Sequence, residues 1–328
     1  MNQPRIDVLG IGNAIVDIVA EVEESFLADF DLAKDSMHLV DHGMATRLLD
    51  ACEPVTMMSG GSVANTIAGL AAIGGSGGFV GRVKDDMLGQ RFAGDLNSQG
   101  VDFAARAAAD GPETGRSLIL VTPDSHRTMC TWLGASLHIG VADLAADSMA
   151  ARVVLLEGYL LDAPEGLEVF SKAALMAAAA GAKVAMSLSD AACVDRHRDD
   201  LRAFLHHHVD IVFANEAETL SLFPGETFAA ASGCLAEEVS IAVITRSEKG
   251  SMVFSPGSVF EIESVTTKVI DATGAGDLYA AGFLYGYTQD LSLDRAARIA
   301  SVCASEVIGQ FGARVTNDLR ASIARTLG

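Results

Sequence analysis

Two carboxylates bracket a run of small residues late in the chain, Asp271-Ala272-Thr273-Gly274-Ala275-Gly276-Asp277, and the apolar Leu278-Tyr279-Ala280-Ala281-Gly282-Phe283-Leu284 follows. An extended run from Ser264 to Ile270 leads in, the small residues turn the chain, and an apolar helix departs. Small side chains let the backbone come close to a ligand, and glycine adopts dihedrals that other residues resist. The first N–H groups of a helix have no partner inside it, and with the helix dipole they form an anion site. A carboxylate such as Asp277 is out of character there. It reads either as a helix-start acid, favoured by about 0.3–1 kcal/mol, or as a general base. The base would take a proton from an attacking hydroxyl while the glycine amides hold developing phosphoryl charge. Physics alone leaves both readings open.

A second stretch, Ser59-Gly60-Gly61-Ser62-Val63-Ala64-Asn65 and on to Gly74, is a Gly-Gly turn opening an apolar helix. Asn65 is its one strongly polar side chain in the first two turns. Small and apolar neighbours suggest burial, and a buried amide requires partners, which a sugar hydroxyl would supply. The bland alternative is a tight turn with Asn65 on a solvated face. Asn215-Glu216-Ala217-Glu218 reads by itself as a helix cap with acids in the first turn. Gly10-Ile11-Gly12-Asn13 imitates a dinucleotide fingerprint, but Ile15 stands where the third glycine belongs, and Val16 to Val22 reads as a strand containing Asp17. A Walker A sequence and the protein-kinase motif set are both absent.

The stretch Asp271 to Asp277 resembles the second signature of the PfkB, or ribokinase-like, carbohydrate and nucleoside kinases, with Ala272 in place of the usual Thr. Ser59 to Gly74 is similar to the first signature, and Gly78 to Gly89 continues it. The resemblance covers nearly the whole chain and implies an α/β ribokinase-like fold of three layers, with a mostly parallel central sheet and a small β-sheet lid. It implies Mg-ATP-dependent phosphorylation of a primary hydroxyl. Asp277 matches the family's base, and Gly274, Ala275 and Gly276 match its backbone anion hole. Asn215 and Glu218 match the Asn-x-x-Glu motif that organises Mg2+ through water. Thr245, Ser247 and Gly250 match the nucleotide loop, with Ser247 where glycine is usual, and Gly312 lies in the closing segment beside adenine. Arg127 matches a residue that helps neutralise the transferring phosphate. Asp271 and Thr273 match the neighbourhood of a monovalent cation, K+, used by several relatives.

For the acceptor, Asn13, Asp17, Gly60, Gly61 and Asn65 match the family's ribose-binding set. Gly12-Asn13-x-x-x-Asp17, with a lid strand ending Thr131-Trp132-Leu133-Gly134-Ala135, is more similar to the adenosine kinase branch than to fructokinases. Trp132 or Leu133 would then cover a purine face, although Trp132 reads equally well as ordinary packing within the sheet. The expected acceptor is the 5′-hydroxyl of adenosine or a related purine nucleoside. A sugar kinase acting on ribose, fructose or 2-keto-3-deoxygluconate is the alternative, and a non-catalytic nucleoside- or sugar-binding protein is the alternative of another class.

The elements that must position these residues follow the same division. Val16 to Val22, Met37 to Val40, and an expected hairpin of Ser117 to Val121 with Arg127 to Leu133 around Pro123-Asp124-Ser125-His126 supply a small sheet. The lid is expected from about residues 16–42 and 113–136, inserted in a single kinase domain spanning residues 1–328. After Ala150, the apolar runs Val153 to Leu156, Lys183 to Ser187, Asp210 to Ala214 and Ile241 to Thr245 suit buried parallel strands between helices.

Composition sets the outer bounds. The 328 residues are 50% hydrophobic, ample for a large core. A net charge of −20, from 43 acids against 23 bases, disfavours nucleic-acid binding. Five scattered cysteines suit reduced thiols in a cytoplasmic protein. No signal-peptide pattern opens the chain, and the apolar Ala173 to Leu188 is too short and too interrupted to span a membrane. His206-His207-His208 cannot share one helix face and so makes a poor metal site. The expected partners are ATP and a small-molecule acceptor, in a monomer or a homodimer.

Overall fold

The computed structural model describes residues 6–103, 107–124, 126–144 and 150–327. Its strands, in chain order, are β1 (Ile6–Ile11), β2 (Ile15–Glu21), β3 (Met37–Leu39), β4 (Pro54–Gly60), β5 (Gly77–Val80), β6 (Val101–Phe103) and β7 (Thr114–Val121). They continue with β8 (Arg127–Gly134), β9 (Ala151–Glu157), β10 (Lys183–Ser187), β11 (Ile211–Asn215), β12 (Ile241–Thr245), β13 (Ser251–Ser255) and β14 (Ser258–Ile262).

Nine strands form the large sheet in the order β14-β13-β12-β11-β10-β9-β1-β5-β6. It is parallel from β12 to β6, with an antiparallel hairpin, β13 and β14, at one edge. Strand alternation feeds two cores. Val153 and Leu155 face one side with the helices Ser62–Ile73, Ala275–Thr288 and Leu293–Ile308. Val154 and Leu156 face the other, with the helices Gly166–Ala180 and Ala191–His208. A sheet buried on both faces explains why these strands read as unbroken apolar runs.

Five strands form the second sheet, in the order β3-β8-β7-β2-β4. β7 and β8 are the expected hairpin, pairing from Thr114↔Gly134 to Val121↔Arg127; Ser125, in its turn, lies outside the described residues. β4 also belongs to this sheet, paired with β2, and lies outside both segments expected for the lid. Ser264 to Ile270, the extended lead-in to the Asp271 stretch, joins no ladder. The order of the large sheet reverses direction between β9 and β1. The cleft outside the carboxyl ends of strands at such a reversal is where open α/β sheets bind ligands.

Candidate active site

Gly274 caps the helix Ala275–Thr288 in the left-handed conformation, φ +79°, and a side chain there would meet Ala313 Cα at 2.8 Å. This is why the turn requires glycine. Gly276, two positions later, is different: a Cβ built on it meets nothing within 4 Å. No protein atom excludes a side chain there, so the space beside its backbone is open to a ligand. No side chain caps this helix, and the amides of Gly276 and Asp277 have no hydrogen-bond partner among the described residues. Donors left free at a helix N-terminus are what an anion hole requires.

Three neighbouring cavities run past this turn. The first, about 340 Å³, is lined by Asn215, Thr245, Ser247, Gly250, Val265, Ala275, Gly276, Tyr279, Ser305 and Ile308 among others. The second, about 240 Å³, shares Asn215, Thr245, Ala275 and Gly276 with the first, and adds Glu218, Gly274 and Asp277. The third, about 240 Å³, shares Ser62, Ser189 and Asp277 with the second, and adds Asn13, Asp17, Gly61, Asn65, Leu133 and Glu157. Asp277 therefore stands where the middle and third cavities meet. This order, a first cavity, an amide-lined bridge and a chamber with both polar and apolar walls, suits a nucleotide, its phosphates and a hydroxylated acceptor.

Asp277 accepts hydrogen bonds from Ser62 Oγ (2.6 Å) and Asn65 Nδ2 (3.0 Å). Burial pushes its pKa up, while those two bonds and the nearby Arg314 charge pull it back. Asn65 is buried, and its Oδ1 has no partner among the described residues. An unsatisfied buried acceptor in a cavity wall is a place for a hydroxyl donor. Asp17 packs against Gly60 so closely that a Cβ there would lie 2.3 Å from its Cγ. Burial pushes Asp17 up to about 7, opposed by Arg314, reinforced by Asp277 and opposed again by Arg127.

Two site residues carried no motif. Glu157 ends β9 at the sheet reversal and accepts from Asn13 Nδ2 (2.9 Å), Asn13 N (3.3 Å) and Val63 N (3.0 Å). It ties the end of β1 to the start of the Ser62–Ile73 helix, and burial pushes it up to about 7. The available signal was an acid closing the apolar run Val153 to Leu156. Arg314 donates to Ala64 O, Ser59 O and Ser59 Oγ, each at 3.1 Å, and its charge acts on both Asp17 and Asp277. Burial lowers it to about 10. Nothing local in the sequence distinguishes it.

Asn215 and Glu218 form a reciprocal helix cap. Asn215 N and Nδ2 donate to the carboxylate at 2.9 and 2.5 Å, and Glu218 N donates to Asn215 Oδ1 at 2.8 Å. Burial, reinforced by the Asp190 charge, takes Glu218 up to about 7 against the opposing Asn215 amide. The capping role is real, and the same carboxylate lines the middle cavity. Mg2+ is commonly held by one or two carboxylates with substrate phosphates and water, so this donor set fits it. Among the described residues no group of three His, Cys, Asp or Glu is close enough to hold a metal, so phosphate oxygens and water would complete the shell.

Four expected residues stand elsewhere. Arg127 Nη1 lies 2.7 Å from Asp271 Oδ2 and its guanidinium covers the Phe311 ring at 5.3 Å, and it lines none of the three cavities. Asp271 Oδ1 accepts from Thr273 N and Oγ1, and Oδ2 from Gly312 N (2.7 Å). With Arg127, each oxygen of that carboxylate thus has two partners within the protein. Gly312 serves this knot and lines none of the three cavities; Val265, Ser305 and Ile308 line the first cavity instead. Trp132 lies on the opposite lid face, under Arg116 and against His42. Met129, Thr131 and Leu133, at alternate positions of β8, line the acceptor cavity with Met37 and Leu39 of β3. Strand alternation alone forbids adjacent Trp132 and Leu133 from facing one ligand.

A model of the pfkB family carbohydrate kinases matches residues 25–320. A 5-dehydro-2-deoxygluconokinase of Shouchella clausii (strain KSM-K16) is 27% identical over 321 residues, 93% of this chain and 90% of its own. A fructokinase of Escherichia coli is 27% identical over 269 residues, 77% of this chain and 87% of its own. Among solved structures, the adenosine kinase from Sinorhizobium meliloti is 41% identical with a TM-score of 0.91, covering 98% of this chain and 99% of that one. A probable sugar kinase from Rhizobium etli CFN 42 is 39% identical with a TM-score of 0.93, with the same coverage of 98% and 99%.

Proposed function

Because the chain belongs to the pfkB family of carbohydrate kinases, and so is a phosphotransferase with an alcohol acceptor, we propose that it phosphorylates the 5′-hydroxyl of adenosine or a related purine nucleoside. ATP is the donor in this reading. The observation that carries it is the lining of the acceptor cavity. Polar Asp17, Asn65 and Asp277 share that cavity with apolar Met37, Leu39, Met129 and Leu133 from the lid sheet. A nucleoside presents both surfaces, a hydroxylated ribose and a flat base, whereas a free sugar has no use for four apolar side chains. The solved adenosine kinase at 41% identity supports the same choice.

In the reaction, Asp277 accepts the proton of the attacking hydroxyl, and Ser62 and Asn65 hold its carboxylate in place. Asp17 and the free Asn65 Oδ1 fix the ribose hydroxyls, which sets the attacking oxygen near Asp277. The Gly276 and Asp277 amides stabilise negative charge on the transferring group. Glu218, steadied by Asn215, would hold Mg2+ through water, and the ion would neutralise phosphate charge.

The second reading is a sugar kinase, favoured by the curated relatives, which are named for sugar and sugar-acid substrates. An ATP-consumption assay over adenosine, inosine, ribose, fructose and 2-keto-3-deoxygluconate decides between them. A purine nucleoside at least about tenfold ahead in kcat/KM supports the first reading. A free sugar ahead of every nucleoside overturns it.

A further inference from the structure

Arg314 takes no step in the reaction as described, and it lines none of the three cavities along the cleft. Its contacts are nevertheless central. Nη1 donates to Ala64 O (3.1 Å) and Gln99 Oε1 (3.4 Å), and Nη2 donates to Ser59 O and Oγ (both 3.1 Å). Ser59 stands directly before Gly60-Gly61 at the end of β4. Ala64 lies between Ser62 and Asn65, the two residues that hold the Asp277 carboxylate. The residue before the arginine, Ala313, is the wall on which Gly274 packs. One short C-terminal segment therefore touches both the turn that presents the amides and the turn that presents the acceptor residues.

All four hydrogen-bond acceptors of Arg314 are neutral, and its Nε is buried without a partner among the described residues. A cation drawn out of water and not paired with a carboxylate is costly, so its charge calls for a reason. The acids of the site crowd one another. The charge of Asp277 acts against Asp17 on β2 and against Glu157 at the end of β9. Arg314 acts on both Asp17 and Asp277, whereas Arg127 acts on Asp17 and is itself paired with Asp271. Asp95 also acts on Arg314, but its carboxylate is taken up by Ser59 N and Arg91 Nε.

We propose that Arg314 is a positioning residue for phosphoryl transfer, clipping the Ser59–Asn65 turn to the C-terminal segment and setting a fixed positive charge against the carboxylates of Asp17 and Asp277. This rests on the reading of Asp277 as the base and deepens it. The clip and the charge are separable. Glutamine still donates to a carbonyl but is neutral, and lysine keeps the charge without the planar fork that spans Ser59 and Ala64.

The test is the pH profile of kcat/KM for adenosine in wild type, Arg314→Gln and Arg314→Lys, with Asp277→Asn alongside. In Arg314→Gln the acid limb should move up by about one pH unit, since an opposing charge has been removed from the base. Its activity should fall about tenfold on the acid side and return to within about threefold of wild type on the alkaline side. In Arg314→Lys the limb should stay within about 0.3 pH unit of wild type, whatever the loss of clip costs in thermal midpoint. A loss in Arg314→Gln that is the same at every pH overturns this inference alone and leaves Arg314 a clip. So does a limb in Arg314→Lys displaced by a full unit, a result that stands even where the glutamine variant does not fold. Near-wild-type turnover in Asp277→Asn overturns the inference together with the reading of the base.

Discussion

The two ends of the cleft are built from different materials. Around the proposed donor, recognition comes from backbone and small residues: Gly274, Ala275, Gly276, Thr245 and Gly250, with the buried acid Glu218. Around the proposed acceptor it comes from charged and polar side chains, Asp17, Asn65, Glu157, Asp162 and Arg196, delivered by separate strands and helices. A phosphate chain is the same in every nucleotide and is well served by fixed amides. An acceptor has its own pattern of hydroxyls and must be matched group by group.

The largest expected effect lies where the two halves meet. Asp277→Asn keeps the shape and the contact with Ser62 but removes the base, and kcat should fall by about 10²–10⁴-fold while both ligands still bind. Single-turnover kinetics with a separate binding titration would measure it. Turnover near wild type would reduce Asp277 to a helix-start acid and leave the two halves with no shared chemistry.

Gly276→Ala attacks the donor half by filling space. The new methyl meets no protein atom within 4 Å, and alanine is the better helix former by about 1 kcal/mol. The thermal midpoint should hold or rise while kcat/KM for ATP falls by roughly tenfold or more, as a methyl displaces the phosphate from its amides. Gly274→Ala should instead destabilise the protein, because it combines φ +79° with a clash at Ala313. Asn65→Ala, on the acceptor side, should raise the acceptor's KM by about tenfold and leave that of ATP alone. A loss shared by both ligands would instead report a folding defect.

The same division decides what the sequence could reveal. Backbone recognition needs consecutive small residues with fixed spacing, so Gly274-Ala275-Gly276 and Thr245 to Gly250 were legible as motifs, and so was the helix that follows the first of them. Parallel strands buried on both faces were legible as apolar runs. Side-chain recognition draws on residues that meet only after folding. Glu157 and Arg314 lie 157 positions apart (314 − 157) in the chain, and only the sheet reversal and the C-terminal segment bring them to one site. β4 escaped because its outward Pro54, Val55 and Thr56 are exposed and carry no alternating pattern. Trp132 read equally well as a ligand face and as packing within the sheet; the parity of β8, with Met129, Thr131 and Leu133 in the cavity, places it on the other side.

A pH series should separate stability from turnover. Burial lifts Asp17 and Glu157 at the acceptor end, and Glu218 beside the donor, from ordinary carboxylate values of 3.8 and 4.5 to about 7. The folded state therefore binds protons more tightly than the unfolded one between about pH 4 and 7. The stabilisation from these groups is complete below their ordinary values and is lost as pH rises through 7. Asp277 is shifted in the same direction, but it must be ionised to act. Lowering pH from 8 towards 6 should raise the thermal midpoint, whereas kcat/KM should fall, by at most about tenfold per unit, wherever Asp277 gains its proton. Parallel trends would mean that these acids are ionised throughout and that partners other than burial govern them.

Ser247→Gly should have the smallest effect, and it probes the donor half's reliance on backbone. Ser247 adopts φ +52°, a left-handed conformation that costs a non-glycine residue about 1–2 kcal/mol. Glycine removes that strain but adds about 0.4–1 kcal/mol of unfolded-state entropy, so the net gain in stability should stay within about 1 kcal/mol. The Ser247 side chain makes no hydrogen bond among the described residues, and its carbonyl still closes the loop by accepting from Gly250 N at 3.0 Å. If the loop holds phosphate through its amides alone, KM for ATP should change by less than about threefold. A tenfold rise would mean that the serine hydroxyl itself touches the nucleotide. The donor half would then read its ligand through a side chain, as the acceptor half does, and the strained φ would be the cost of placing that hydroxyl.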